Sequence, residues 1–216
     1  MPTAQAGETS AAEDALFPSE MQAQLDAVFA RMAQPLLLKL YLDERPISEE
    51  LEQFITSLSA LSDKLGCQVC ERNATDFAPC VEICLADGTK TGLAFHGVPS
   101  GHEFSSFVLG LYNAAGPGQA MDEATKKKID AITDPTELEI LVTLSCTMCP
   151  DLVVASQRIA AANPKVTAHV YDLRHFEDLK QRYKVMSVPC MIVNHQAVHF
   201  GKKTLDQVIA LLQSPH

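Results

Sequence analysis

Apolar residues recur along this chain with two periods that alternate. "LEILVTL", Leu138 to Leu144, is a β-branched, apolar run that predicts a buried strand. Behind it Leu152, Ala155, Ile159 and Ala162 recur at helical spacing, with Pro150 in the first turn and Asn163-Pro164 as a stop. "VTAHVYD", Val166 to Asp172, then predicts a strand, "HFEDLKQRY" a short helix, and "CMIVN" and "AVHFG" two further strands. "TLDQVIALL" closes as a helix whose Thr204 and Gln207 are spaced for a capping box. In the first half, "PLLLKLYL" reads as a strand, "SEELEQFITSLSALSDKL" as a helix and "CQVCERN" as a strand. "APCVEICLADG" follows as a proline, strand and turn, then "GLAFHG" as a strand and "HEFSSFVLGLYNAA" as a helix. A helix precedes each half, Ser19 to Ala33 and Met121 to Ile132.

The second half therefore runs β-α-β-α-β-β-α with a proline opening its third strand, which resembles the thioredoxin order. Pro46, Pro79 and Gly97 of the first half find counterparts in Pro150, Pro189 and Gly201 at nearly constant separation, as a duplicated unit would leave them. The expected fold class is α/β, two tandem thioredoxin-like folds, each a three-layer α/β/α unit. The first is expected over residues 19–116 and the second over 117–216, with "GPGQ", Gly116 to Gln119, as the boundary loop. Residues 1–18, small, polar and acidic, are expected to form a flexible tail.

Composition narrows the function classes. With 47% hydrophobic residues among 216 the chain can bury a core, yet no segment reaches the ~18–20 uninterrupted apolar residues of a membrane span. The first residues have neither a basic start nor an apolar run, so no secretory signal is expected. A net charge of −10 repels phosphate backbones and anionic lipid, which argues against nucleic acid or a membrane as partner. Seven cysteines without a signal peptide suit a reducing compartment, and a cytoplasmic location is expected. There, paired cysteines mean redox chemistry or metal more often than a disulfide framework.

"LSCTMCPD", Leu144 to Asp151, sets Cys146 and Cys149 at a strand-to-helix junction. The first junction, "YLDERP", has no cysteine, so one active dithiol is expected, in the second fold. A free thiol with a pKa of about 8.5 is only a few per cent ionised at neutral pH. Unpaired N–H groups and the dipole at a helix start favour a thiolate by roughly 0.3–1 kcal/mol, up to ~2 when partly buried, so the pKa of Cys146 is expected to fall by about one unit. Cys146 is the expected attacking sulfur and Cys149, one turn in, the resolving one. Pro189 is expected to lay the backbone around it beside the cysteines, where a substrate chain can pair. Thr147, Met148, Val188 and Cys190 are the expected substrate-facing neighbours, with Cys190 either a third redox thiol or a buried core residue. No cofactor and no metal are expected.

Two other readings stay open. Cys146 and Cys149 could be half of a zinc site completed by Cys67 and Cys70, in a non-catalytic binding module. Side chains three apart on a strand point to opposite faces, however, which makes Cys67 and Cys70 a poor pair. Cys80 and Cys84 are expected to be core. Alternatively the dithiol could serve a protein disulfide isomerase or oxidase.

"LSCTMCPDLV", "NPKVTAHVYD", "YKVMSVPCMIVN" and "GKKTLDQVIALL", together with "MQAQLDAVFARM" and "GVPSGHEFSSFVLGL" of the first half, resemble the N-terminal domain of the alkyl hydroperoxide reductase flavoprotein subunit. The likeness runs from about Met21 to Leu212. It implies a domain of two fused thioredoxin folds with one active dithiol, which takes electrons from a flavin- and NADH-binding region and passes them to a peroxiredoxin. This sequence ends about where that region would begin, so either a separate flavoprotein disulfide reductase is the electron donor or the chain is a fragment of a longer flavoprotein; a peroxiredoxin is the expected protein-disulfide substrate. The resemblance further implies that the glutamate of "GHEF", here Glu103, lies beside the dithiol, where it can take the proton of Cys149. Ser100 and Glu103 also fit a capping box, a purely structural use. His102 is expected to be a solvated helix-start residue. Thr147-Met148 replaces the family's His-Asn between the cysteines, and Cys190 stands where the family usually has alanine.

Overall fold

The computed structural model describes residues 16–71 and 77–213. Helix α1 (Ser19–Phe29) leads into β1 (Leu36–Tyr41), α2 (Pro46–Ser59), β2 (Leu65–Val69), β3 (Cys80–Leu85), β4 (Lys90–His96) and α3 (Glu103–Ala115). The second half comprises α4 (Glu123–Asp130), β5 (Thr136–Val142), α5 (Cys149–Ala162), β6 (Val166–Asp172), α6 (Glu177–Arg182), β7 (Cys190–Val193), β8 (Ala197–Phe200) and α7 (Leu205–Gln213). Helices start where the sequence has starters. Pro46 and Pro150 open α2 and α5, and Asp122 accepts from the Thr125 N–H at 2.8 Å to open α4. Thr204 and Gln207 cap α7 reciprocally, at 2.9 and 3.3 Å.

The eight strands form one sheet in the order β2-β1-β3-β4-β6-β5-β7-β8, so each half contributes four strands in the same relative order. The halves join where β4 pairs in parallel with β6. The duplication extends to detail. Ala78–Pro79 and Val188–Pro189 are both cis, the Gly97 N–H donates to the Pro79 carbonyl and the Gly201 N–H to the Pro189 carbonyl, each at 2.9 Å. Gly116 and Pro117, at the expected boundary, lie in the loop between α3 and α4, while the sheet and one core run continuously across the two halves.

One sheet face packs Leu38, Leu40, Ile83, Phe95, Ile140, Val170 and Met191 against α1 to α5 and α7. Among the described residues the third layer is a single helix, α6, which with its flanking residues covers the other face through Phe176, Leu179 and Val185 packed on Leu141, Tyr171, Cys190 and Ile192. Two expectations need correction. Phe17, assigned to the flexible tail, is buried between Phe54 and Phe104, whose rings stand 5.4 and 5.7 Å away; residues 1–15 of that tail lie outside the described residues. The strand expected over Leu138 to Leu144 begins and ends two residues earlier, because its last residues turn toward the cysteines.

Candidate active site: a dithiol at the start of α5

Strand β5 is buried along almost its whole length and ends at Val142, and the chain then turns through Thr143 to Met148 before α5 begins at Cys149. The Cys146 N–H donates to the Thr143 carbonyl at 2.9 Å, which closes this turn. Cys146 and Cys149 are joined as a disulfide with Cα atoms 5.5 Å apart. Cys146 is half-buried at the surface and Cys149 is fully buried in the helix-side core. No side chain caps α5, so the first N–H groups of the helix remain available to the sulfurs. Asp151 in the first turn places a second negative charge there, and Lys202 stands 3.9 Å from its carboxylate.

Pro189 is reached through the β-sheet. Strand β7 runs antiparallel to β5 with Cys190 opposite Leu141, so the cis Val188–Pro189 bond lies beside the end of β5, where the chain leaves for the dithiol turn. Val188 is half-buried there and packs on the core that holds Cys149. Thr147 and Met148 are exposed between the cysteines. Cys190 is the exception and corrects the expectation that it faces substrate. Its side chain is fully buried on the opposite sheet face, among Leu141, Tyr171 and Phe176 under α6, and burial pushes its thiol up to about 11. Successive strand residues alternate faces, so a residue directly behind Pro189 points away from the site.

Glu103 comes from the first half. The His102 N–H donates to the Leu144 carbonyl at 3.0 Å, and Gly101, at φ +57, lies so near that a Cβ there would stand 2.7 Å from the same oxygen. Further along, Gly110 of α3 faces the Gln157 side chain of α5. Counting back about two turns from this second point along the parallel helices brings the start of α3, at Glu103, level with the start of α5, at Cys149. Glu103 is fully buried, its Oε2 accepts from the Ser106 hydroxyl, and its Oε1 has no hydrogen-bond partner among the described residues. Burial pushes the carboxyl up to about 7, against the opposing pull of the Ser106 bond. The capping reading is corrected: the N-cap of α3 is His102, exposed as expected, and no side chain caps the helix.

The zinc reading fails on distance. Cys67 lies on β2 at one sheet edge, five strands from β5, or roughly 24 Å at normal strand spacing. Among the described residues no three His, Cys, Asp or Glu side chains are grouped to hold a metal, and Cys67, Cys70, Cys80, Cys84 and Cys190 are free thiols. Cys80 and Cys84 are buried, as expected.

The first junction has a different occupant. Arg45, ahead of Pro46, reaches the Ala78 carbonyl before cis-Pro79 at 2.5 Å, the His175 carbonyl of the second half at 2.8 Å and Asp43 at 2.8 Å, and its guanidinium lies 5.4 Å from the Phe176 ring centre. Sequence reasoning missed one feature altogether. On the sheet face that α6 leaves uncovered, Tyr41, Glu82, His96, Glu139, His169 and Tyr171 line a groove of about 920 Å³. The signal was present as polar residues two apart, Glu137 and Glu139 or His169 and Tyr171, inside runs that otherwise read as apolar strands.

A thioredoxin-domain family model matches residues 136–213. The F subunit of alkyl hydroperoxide reductase from Xanthomonas campestris pv. phaseoli is 30% identical over 92% of this chain, and a Bacillus subtilis protein named NADH dehydrogenase is 26% identical over 91%. The chain spans only 37% and 38% of those relatives. A protein disulfide oxidoreductase from Aeropyrum pernix K1 superposes with a TM-score of 0.77 over 90% of this chain and 91% of its own, at 19% identity, a likeness of fold alone. The crystal structure of the NTD_N/C domain of alkylhydroperoxide reductase AhpF from Enterococcus faecalis superposes with a TM-score of 0.86 at 36% identity, over 91% of this chain and 99% of that one. Coverage of 99% of that domain at 36% identity, together with the duplicated thioredoxin fold and the dithiol at the start of α5, means that this chain belongs to the family of AhpF N-terminal domains.

Proposed function

We propose that the chain is a dithiol–disulfide oxidoreductase that passes electrons from a flavoprotein disulfide reductase to protein disulfides, with a peroxiredoxin as acceptor. The observation that carries this reading is the disulfide at the start of α5, with one sulfur reachable and its partner buried. Starting from the disulfide, two electrons from the donor cleave the S–S bond and leave two thiols, taking up two protons. Cys146 then ionises under the N-terminus of α5 and attacks a sulfur of the acceptor. A mixed disulfide forms and the acceptor's other sulfur leaves with a proton. Cys149 loses its proton to Glu103, attacks Cys146, and the acceptor departs as a dithiol.

Glu103 suits the proton transfer because its carboxyl titrates near neutrality, so both of its forms are populated at working pH. Pro189 and Val188 present backbone beside the dithiol for the acceptor strand, and Thr147 and Met148 contact the acceptor. No helix among the described residues is long and apolar enough to cross a membrane, and the free thiols suit a reducing, cytoplasmic setting. The test is reduction of insulin disulfides, then of a peroxiredoxin with NADH and a flavoprotein reductase. Activity lost in Cys146→Ser, with the mixed disulfide trapped in Cys149→Ser, supports the reading. Equal activity in Cys146→Ser and the wild type would overturn it.

A further inference from the structure

Among the described methionines, Met32 and Met191 are buried and Met21 and Met121 half-buried, while Met148 and Met186 are 50% and 85% exposed. Met148 stands in the dithiol turn itself, and Met186 shares a cavity with Thr143, where that turn begins. Met148 lies in the turn between Cys146 and Cys149, and Met186 in the stretch that leads to the cis Val188–Pro189 bond. Met186, Val185 and Val188 line a cavity of about 400 Å³ with Thr143 and Leu173. Since the Thr143 carbonyl holds the Cys146 N–H, that cavity joins the Met186 stretch directly to the dithiol turn.

We propose that Met148 and Met186 form a peroxide-sensitive modification site whose oxidation weakens docking of the disulfide acceptor; this rests on the function proposed above. A sulfur that comes within bonding reach of Cys146 brings its protein down over Met148, two positions along the same turn. Methionine is well suited to that contact, because its flexible, polarisable side chain adapts to an apolar partner surface. In the modification, each thioether sulfur takes one oxygen atom from hydrogen peroxide or an alkyl hydroperoxide. The S=O bond forms as the O–O bond breaks, the thioether gives up two electrons, and water or the alcohol leaves. The resulting sulfoxide is a strong acceptor that must be stripped of water when the partner docks, so a contact that favoured binding opposes it. In the disulfide form the catalytic sulfurs are shielded while the rim is modified, and reduction of the sulfoxides restores it.

The test treats the full chain, in its disulfide form, with hydrogen peroxide. Oxygen incorporation at each methionine is read by peptide mass spectrometry, and insulin-disulfide reduction is assayed before and after. Met148 and Met186 are expected to oxidise about tenfold faster than Met32 and Met191, with kcat/KM falling roughly five- to tenfold, as loss of one or two apolar contacts would produce. Methionine sulfoxide reductases should restore the rate. In Met148→Leu/Met186→Leu, whatever its starting rate, the ratio of treated to untreated activity should stay near one. Full oxidation of both methionines with an unchanged rate overturns the proposal, and so does an equal fall in the leucine variant. An untreated chain that reduces no disulfide overturns the function and this inference with it.

Discussion

Gly110 on α3 and Gln157 on α5 touch so closely that a Cβ at position 110 would stand 2.7 Å from the Gln157 Oε1 and 3.0 Å from its Cδ. This contact sets the register of the two helices and so holds Glu103, from one half of the duplication, level with Cys149 of the other.

Gly110→Ala is therefore expected to push the Gln157 side chain aside at a net cost of about 1 kcal/mol or less, since the added Cβ meets the end of a side chain and alanine itself favours the helix. Added to Gln157→Ala, the same change should cost less than it does alone. Urea unfolding of the four proteins measures this coupling, and additive losses would disprove the contact's role.

Glu103 makes stability depend on pH. Its folded pKa of about 7 lies above the ordinary 4.5, so the folded state holds its proton more tightly than the unfolded chain. No penalty exists below about pH 4.5; it grows as pH rises and is complete above about 7, where it is on the order of 3 kcal/mol. Glu103→Gln should accordingly gain stability over the wild type between pH 5 and 8. Its exchange rate should fall most at low pH. Below about 7 both proteins lose activity in parallel, whereas above it the wild type levels off and the variant keeps rising as Cys149 ionises unaided. Parallel rate profiles across the whole range would exclude Glu103 from proton transfer.

Burial sorts the thiols by reactivity. After reduction, iodoacetamide should label Cys146 in the native protein at least about tenfold faster than Cys149 or Cys190, both of which are fully buried. Mass spectrometry of digests taken over time reads the order, and rapid native labelling of Cys190 would place it back at the site.

His195, in the turn between β7 and β8, lies 2.9 Å from Glu139 and 3.2 Å from Glu137. Burial works against its charge, but the bond to Glu139 and the two carboxylates outweigh it and hold the imidazole above its ordinary pKa. The stabilisation is present below the unfolded value near 6.5 and is lost as pH rises through the folded one. His195→Gln should thus cost up to ~1 kcal/mol at pH 5.5, the ceiling for an exposed pair, and almost nothing at pH 9. Thermal melts at both pH values decide it.

Arg45 fastens the halves through two carbonyls, a carboxylate and a ring. Arg45→Lys should be nearly as damaging as Arg45→Ala, at about 1–2 kcal/mol, because one ammonium cannot reach acceptors that the planar guanidinium spans. A lysine variant as stable as the wild type would refute this.

Local chemistry determines much of this protein. Pro46 and Pro150 start helices, Thr204 and Gln207 cap one, and the spacing of Cys146 and Cys149 ahead of an apolar helix names the dithiol, because each effect acts within a turn or two of chain. Repetition of Pro79 and Gly97 as Pro189 and Gly201 made the duplication legible for the same reason. The tertiary structure decided what depends on distance between remote segments. It placed Glu103 alongside α5, turned Cys190 to the far face of the sheet, drew Phe17 into the core and left the Glu139 face open. Burial, and with it the raised pKa of Glu103, arises from neighbours in space, which the joining of β4 to β6 and the packing of α3 on α5 bring together.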